Sequence, residues 1–318
     1  MIVAKTQHVA KLNQECVAKM KHSDSRKRSI LLLSTWHKGC KYSELQTVTS
    51  VEGGPMLTNL KLDKVALITG GASGIGLSIA EKMYAAGCQI AIADIDEKKA
   101  RSAVDSMEAR DSQKKIAIQA DLSNFASIRE MVAVCQKELG AVDILVNNAG
   151  FQHVSPIETY DPATFQKMIE VMLVGPFVAT QAVFAQMKQR GWGRIINISS
   201  INGKIGAPFK AGYCSAKHGI IGLTRVTAME AADSGVTCNA ICPGYVDTPL
   251  VRNQLADLAK SYQVPEEEVL EEVILRNVPQ HRLLEAGEIG EFAVFLASDQ
   301  AAAITGQAIN ISGGYVMH

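Results

Sequence analysis

The sequence predicts an α/β protein, a single doubly wound domain whose mostly parallel, seven-stranded sheet carries helices on both faces. Three observations predict it. From Lys64 onward, short β-branched runs alternate with helical stretches. The strand runs are almost uninterruptedly apolar, as expected where a sheet is covered on both sides. A glycine-rich string lies directly between the first strand and the first helix.

VALIT, after Lys64, is the first strand, and Ile75 to Ala86 the first helix. QIAIAD leads into a helix over about 95 to 110, KIAIQAD into one over about 124 to 139, and DILVNN into a long one over about 161 to 190. GRIINIS precedes a helix over about 212 to 234, VTCNAI a polar helical region, and a helix over about 287 to 298 precedes QAINIS. Parallel strands joined through helices call for right-handed crossovers. With no second alternating block and no linker, residues 56 to 318 are expected to form one domain.

The 318 residues are 47% hydrophobic and 20% charged, the balance of a globular protein with a substantial core. A formal charge of zero gives no reason to expect a nucleic acid or an acidic membrane as partner. That zero conceals an asymmetry, because residues 1 to 55 hold nine Lys or Arg against four Asp or Glu. The segment lacks sustained periodicity and ends in the breaker run Glu52-Gly53-Gly54-Pro55. It reads as a disordered or non-native extension. Glu-Gly-Gly-Pro-Met can be encoded by a stretch matching a bacterial ribosome-binding sequence, which makes Met56 the expected natural start.

Seven scattered cysteines with no CxxC pair and no interleaved histidine indicate neither a disulfide framework nor a metal site. Cys238 and Cys242 fall in a strand run, where residues four apart do not stack as they do on a helix. No apolar run approaches the roughly 18 residues of a membrane span. Ile30 to Leu33 is too short for a signal-peptide core of about 7 to 15 residues. A cytoplasmic location is expected.

The string Thr69-Gly-Gly-Ala-Ser-Gly-Ile-Gly76 places Gly70, Gly74 and Gly76 where side chains would keep the backbone from a pyrophosphate at a helix N-terminus. A plain turn uses the same residues, but the flanking strand and helix are the context a nucleotide site requires. Asp94 closes the second strand, where an acid accepts from a ribose 2′-hydroxyl and repels a 2′-phosphate. NAD is therefore the expected cofactor, although a turn or helix-cap role would also suit this acid.

Tyr213 and Lys217 stand i and i+4 on a predicted helix and share a face. A free tyrosine, with a pKa of about 10, is a poor base at neutral pH, and an adjacent cation lowers that value. TGGASGIG, the NNAG at Asn147 to Gly150, Ser200, Tyr213-Cys-Ser-Ala-Lys217 and Pro243-Gly244, in this order and spacing, resemble the short-chain dehydrogenase/reductase family over essentially all of residues 60 to 318. The resemblance implies a Rossmann fold and an NAD-dependent oxidoreductase acting on CH–OH groups. It implies that Tyr213 abstracts the alcohol proton, that Lys217 also holds the nicotinamide ribose, and that Ser200, rather than Ser199, binds the substrate oxygen. It also implies cofactor contacts from Ser73, Ile75, Leu122, Pro243, Gly244 and Val246, with Asp121 touching the adenine. Asn148, Ala149 and Gly150 would line the adenosine side and Thr248 would meet the carboxamide. One position departs from the family pattern: Met172 stands where an asparagine usually completes a proton relay, and a thioether cannot anchor the relay water.

Within the family, the runs from Gly150 to His153, Asn239 to Gln254 and Phe292 to Gly306 are most similar to bacterial D-3-hydroxybutyrate dehydrogenases. That likeness implies a homotetramer and a small carboxylate clamped by Gln152, Lys210 and Gln254. A buried anion needs a cation or several donors, and Lys210 would supply the charge. Asn202 replaces a clamp histidine, and Tyr245 and Tyr315 replace two pocket tryptophans, so the pocket can be retuned. The polar stretch from about 248 to 284 reads as a helical lid that closes over substrate to exclude water. Sugar-alcohol oxidation, reduction of a 3-oxoacyl thioester, and non-catalytic NADH sensing are the alternative readings.

Overall fold

The computed structural model describes residues 60–110 and 113–318, and the reading of residues 1 to 55 falls outside them. Seven parallel strands form one sheet in the order β3-β2-β1-β4-β5-β6-β7. They are β1 (Val65–Thr69), β2 (Gln89–Asp94), β3 (Lys115–Gln119), β4 (Ile144–Asn147), β5 (Gly193–Ile198), β6 (Val236–Pro243) and β7 (Ala308–Ile311). The order reverses between β1 and β4, so the C-terminal ends of these two strands diverge into a crevice.

The helices fall into two layers because each buries one apolar stripe against an apolar sheet face. On one side α1 (Gly74–Ala85) and α10 (Ala286–Ala297) pack Ile79, Met83, Ile289 and Val294 onto Ile68, Ile90 and Ile92. The small α2 (Glu97–Ser106) extends that layer with Ala100 and Val104. On the other side α3 (Phe125–Leu139) and α5 (Gly175–Arg190) pack Ile128, Met131, Val178 and Val183 onto Leu67, Ala91 and Leu145. The helix α6 (Ala211–Glu230) buries Tyr213, Lys217, Ile221 and Thr224 on its inner face. Asp96 and Asn124 cap α2 and α3 with side-chain acceptors for main-chain N–H groups, which fixes where these helices begin.

The expected helix over 161 to 190 is broken. It runs as α4 (Pro162–Ile169), a π turn (Glu170–Val174) and then α5. Pro176 has no N–H to return to the carbonyl four residues earlier, which is that of Met172. Where the helix resumes, a Cβ on Gly175 would lie 2.5 Å from the Leu122 carbonyl oxygen, so only glycine lets α5 come this close to the loop after β3. Pro162–Arg190 is long and apolar enough by composition to cross a membrane. Val178, Ala179, Val183 and Met187 are instead spent on the sheet.

After β6 the chain forms α7 (Pro249–Arg252), α8 (Leu255–Tyr262), α9 (Glu266–Glu268) and a π turn (Val269–Ile274). Val251, Leu258, Val269, Ile274, Leu275 and Val278 give this region a small apolar cluster separate from the two faces of the sheet. Among the described residues, Cys88, Cys135, Cys214, Cys238 and Cys242 are free thiols.

Candidate active site

A cavity of about 390 Å³ opens at the C-terminal ends of the strands, across the reversal of strand order. The turn between β1 and α1 forms its floor. Gly70 and Gly74 adopt the left-handed conformation, with φ of 62° and 55°, which favours glycine at both. At Gly76 a Cβ would lie 2.4 Å from both Asn148 Nδ2 and the Gly70 carbonyl oxygen, so glycine is required there for packing beneath the turn. Ser73, the N-cap of α1, makes no side-chain capping bond and lines the cavity. Its hydroxyl and the first N–H groups of α1 suit a phosphate. The cradle therefore fits a dinucleotide.

Asn148 fixes the turn from the neighbouring strand. Its Nδ2 donates to the Thr69 and Gly70 carbonyls, each at 2.9 Å, and its N–H donates to Thr69 Oγ1 at 3.0 Å. One residue earlier, Asn147 Nδ2 donates to Asn197 Oδ1 at 2.8 Å, and Asn197 Nδ2 donates to Thr224 Oγ1 at 2.8 Å. This buried chain ties β4 and β5 to α6, the helix that carries Tyr213. Asp94, at the end of β2, accepts from the N–H groups of Ala72 and Asp96 at 3.2 and 3.1 Å. Its carboxylate is thereby held at the cavity wall, which fits both the expected position and the turn-fixing role.

Ser200, Tyr213 and Lys217 all line the cavity. Ser200 stands beside the Tyr213 phenol, close enough to favour its ionised form, and accepts from the Asn202 N–H at 3.1 Å. Lys217 Nζ lies 5.6 Å from the centre of the Tyr213 ring and donates to the Ile198 carbonyl at 2.6 Å. The expected lowering of the tyrosine pKa is absent. Burial pushes the phenol up to about 12 against the opposing Ser200 hydroxyl, and burial brings Lys217 down to about 8. Desolvation disfavours both charged forms and is the largest cause of each shift. Met172 is fully buried in the π turn and packs with Met168, Tyr213 and Ala216. Its sulfur would sit 2.9 Å from a Cβ on Gly150.

Of the other expected cofactor residues, Ile75, Asp121, Leu122, Ala149, Gly150, Pro243, Gly244, Val246 and Thr248 also line the cavity. Gly76 lies beneath it rather than on its wall. The expected substrate residues are placed differently, because Gln152, Asn202, Lys210 and Gln254 are not on the wall. Lys210 and Gln254, each 4% exposed, meet instead in a contact closed to solvent, where Lys210 Nζ donates to Gln254 Oε1 at 2.8 Å. Burial brings Lys210 down to about 8. Its ammonium is 5.8 Å from the centre of the Tyr245 ring, and Tyr245 meets Tyr315 edge-on at 6.1 Å. Gln152 Oε1 is buried without a hydrogen-bond partner among the described residues. Immediately before Lys210, Phe209 takes a φ of 65°, a strained conformation for an aromatic residue and one concentrated near functional sites.

Sequence reasoning missed several wall residues, among them Ile95, Phe151, Lys167, Val171 and Leu250. Ile95 directly follows Asp94 and is 65% exposed, an open apolar side chain that strand position alone could have flagged. Lys167 carries no comparable signal, since it reads as an ordinary cation in the last turn of a helix.

A family model described as short chain dehydrogenase matches residues 64–259. An uncharacterized oxidoreductase of Bacillus subtilis (strain 168), YxjF, is 50% identical over 252 residues, covering 79% of this chain and 98% of that protein. A D-beta-hydroxybutyrate dehydrogenase of Rhizobium meliloti (strain 1021) is 40% identical over 255 residues, 80% of this chain and 99% of that protein. An acetoacetyl-CoA reductase of Shinella zoogloeoides is 38% identical over 254 residues, 80% and 98% of the two chains. Among solved structures, a single-residue variant of actinorhodin polyketide ketoreductase with NADPH superposes with a TM-score of 0.76 at 33% identity, covering 79% of this chain and 97% of that one.

Proposed function

This chain belongs to the short-chain dehydrogenase family, and from that premise we propose that it interconverts a small 3-hydroxy acid and its 3-oxo acid with NAD. The pair we assign is D-3-hydroxybutyrate and acetoacetate. The observation that carries the substrate class is Lys210, a buried ammonium whose hydrogen-bond partner is the neutral Gln254 amide and which pairs with no carboxylate among the described residues. A buried cation left without an anion is costly, and a substrate carboxylate supplies the missing charge once the Gln254 contact that closes Lys210 off from the cavity opens. Gln254 and the orphaned Gln152 Oε1 are polar groups of the same kind, unsatisfied or replaceable until a ligand arrives.

When bound, NAD supplies the hydride acceptor. The protein's own residues handle the proton and the orientation. Tyr213 takes the proton of the alcohol, and Ser200 holds the same oxygen by hydrogen bonding. Lys217 holds the nicotinamide ribose, and its ammonium is the nearby cation set against the burial that raises the Tyr213 pKa. Because Tyr213 is buried beside Ser200, the proton moves along a short fixed path rather than through bulk water. Asp94 supports NAD over NADP, since a carboxylate fixed at that point accepts from a 2′-hydroxyl and repels a 2′-phosphate. The helical region after β6, which carries Gln254 and Thr248, serves as the lid over substrate. The enzyme works in the cytoplasm as a homotetramer; exposed Val226 and Met229 on α6 are apolar surface that suits association.

The test is to follow NADH formation with D- and L-3-hydroxybutyrate, sugar alcohols and, in reverse, a 3-oxoacyl thioester. We expect turnover of the D-hydroxy acid and a rise of at least about 100-fold in its KM in Lys210→Ala, the scale of a lost buried charge contact. A polyol substrate with an unchanged KM in that variant would overturn the reading, and tight NADH binding with no turnover of any substrate would point to a sensor.

A further inference from the structure

We propose that Lys167 is a positioning residue for the cofactor, holding and neutralising Asp121 at the adenosine end of the cavity. The proposal concerns the nicotinamide cofactor alone and does not depend on which alcohol is oxidised.

Lys167 sits in the last turn of α4 and forms part of the cavity wall, 46 residues from Asp121 along the chain. Its ammonium lies 3.8 Å from Asp121 Oδ2 and donates to Ser123 Oγ. Ser123 in turn donates through its N–H and its hydroxyl to Asp121 Oδ1, at 2.9 and 2.7 Å. The Asp121 N–H donates to Ser127 Oγ at 3.0 Å. One carboxylate oxygen is thus committed twice to Ser123. The other has only the Lys167 ammonium nearby and makes no hydrogen bond among the described residues, which leaves it as an acceptor for an amino group on the base.

The charges on the cavity wall explain why a cation is needed at this point. Asp94 and Asp121 are its acidic side chains, Lys167 and Lys217 its basic ones, and Lys217 lies at the Tyr213 end. A dinucleotide brings a diphosphate into this cavity. Without Lys167, Asp121 would keep its two bonds from Ser123 but stand uncompensated, and its charge would repel the diphosphate. Lys167 also joins the loop after β3 to the helix that leads into the Met172 turn, so the adenosine end and the Tyr213 end share one support.

The alternative is a solvated lysine complementing a helix C-terminus, which would leave cofactor affinity alone. The two readings separate in equilibrium titrations of the full-length protein with NADH, followed by its fluorescence, and with ADP-ribose in competition. Lys167→Met keeps the aliphatic stem and removes the charge; Lys167→Arg keeps the charge. We expect Lys167→Met to weaken both ligands by about three- to five-fold at low salt, the scale of a partly exposed ion pair. That loss should shrink at about 0.5 M salt, where screening acts within a few ångströms. Lys167→Arg should bind like the parent, and in an Asp121→Asn background Lys167→Met should lose much of its effect. Binding of both ligands by Lys167→Met within about two-fold of the parent at low salt overturns the proposal. An equal loss in Lys167→Arg, or a loss confined to NADH, overturns it too.

Discussion

The Ser199 hydroxyl donates to the main-chain carbonyl of Lys217 at 2.9 Å, which commits it to the backbone of α6 and leaves the adjacent Ser200 as the hydroxyl that faces the Tyr213 phenol. Gly203 completes the arrangement, since a Cβ there would lie 2.4 Å from both the Lys217 carbonyl oxygen and Ser199 Oγ. Two neighbouring serines therefore have different work. Ser200→Ala should lower kcat/KM by about 100- to 1000-fold, as loss of an oxygen-binding donor does, with NADH affinity unchanged. Ser199→Ala should instead cost about 1 kcal/mol of stability, the worth of one buried hydrogen bond. Steady-state kinetics and denaturant melts of the two variants provide the comparison.

Asp94 is fixed by two main-chain N–H groups, and in its proposed role would meet a ribose without reorganising. Replacing it with serine should remove a charge-assisted hydrogen bond to the 2′-hydroxyl and the repulsion of a 2′-phosphate together. The NAD-to-NADP ratio of kcat/KM should fall by about 10- to 100-fold, the equivalent of 1.5–3 kcal/mol. An unchanged ratio would remove Asp94 from cofactor selection.

In the role proposed for it, Lys210 links activity to stability through pH. Its folded-state pKa of about 8 lies below the ordinary 10.5, so between these values the unfolded chain binds more protons and stability rises with pH. The buried charge is therefore most costly below pH 8 and its cost vanishes above 10.5. Lys210→Met should be more stable than the parent by about 1 kcal/mol at neutral pH, after the lost Gln254 contact is counted. The gain should fade as pH rises through that window, while affinity for the hydroxy acid collapses. Melting curves from pH 6 to 10.5 are the measurement, and a gain that grows with pH would contradict this account.

At Gly76 the added methyl of Gly76→Ala has no room against Asn148 Nδ2 and the Gly70 carbonyl. The Asn148 clamp must break or the turn must shift, and either change spoils the cradle. NADH affinity should fall by at least about 10-fold, since one lost charge-assisted hydrogen bond alone is worth 1.5–3 kcal/mol. Gly71→Ala is the control, because its new Cβ would meet mainly the Ile92 and Ile68 side chains at 3.0 and 3.4 Å, though also the Ile68 carbonyl oxygen at 3.3 Å. It should retain more affinity than Gly76→Ala.

VALIT and QIAIAD are strands over the residues that their patterns marked, because an apolar β-branched run between turn signals has few other uses. The glycine turn, Asp94 and the Tyr213–Lys217 pair were legible for a related reason: local spacing along one strand end or one helix face fixes where those groups stand. Periodicity could not reveal the π turn at Met172, since Pro176 and the approach of Gly175 to the Leu122 carbonyl decide it. Nor could it tell Ser199 from Ser200, whose roles follow from which hydroxyl meets the Lys217 carbonyl. The contacts of Lys210 with Gln254 and of Lys167 with Asp121 span more than 40 residues and join separate elements. The succession of strands and helices, the glycine-rich turn and the tyrosine–lysine pair can be read along the chain, because these depend on neighbours a few residues away. Which buried charges stand without a counter-ion emerges only in the assembled fold, because desolvation and pairing are properties of surroundings that the chain brings together from a distance.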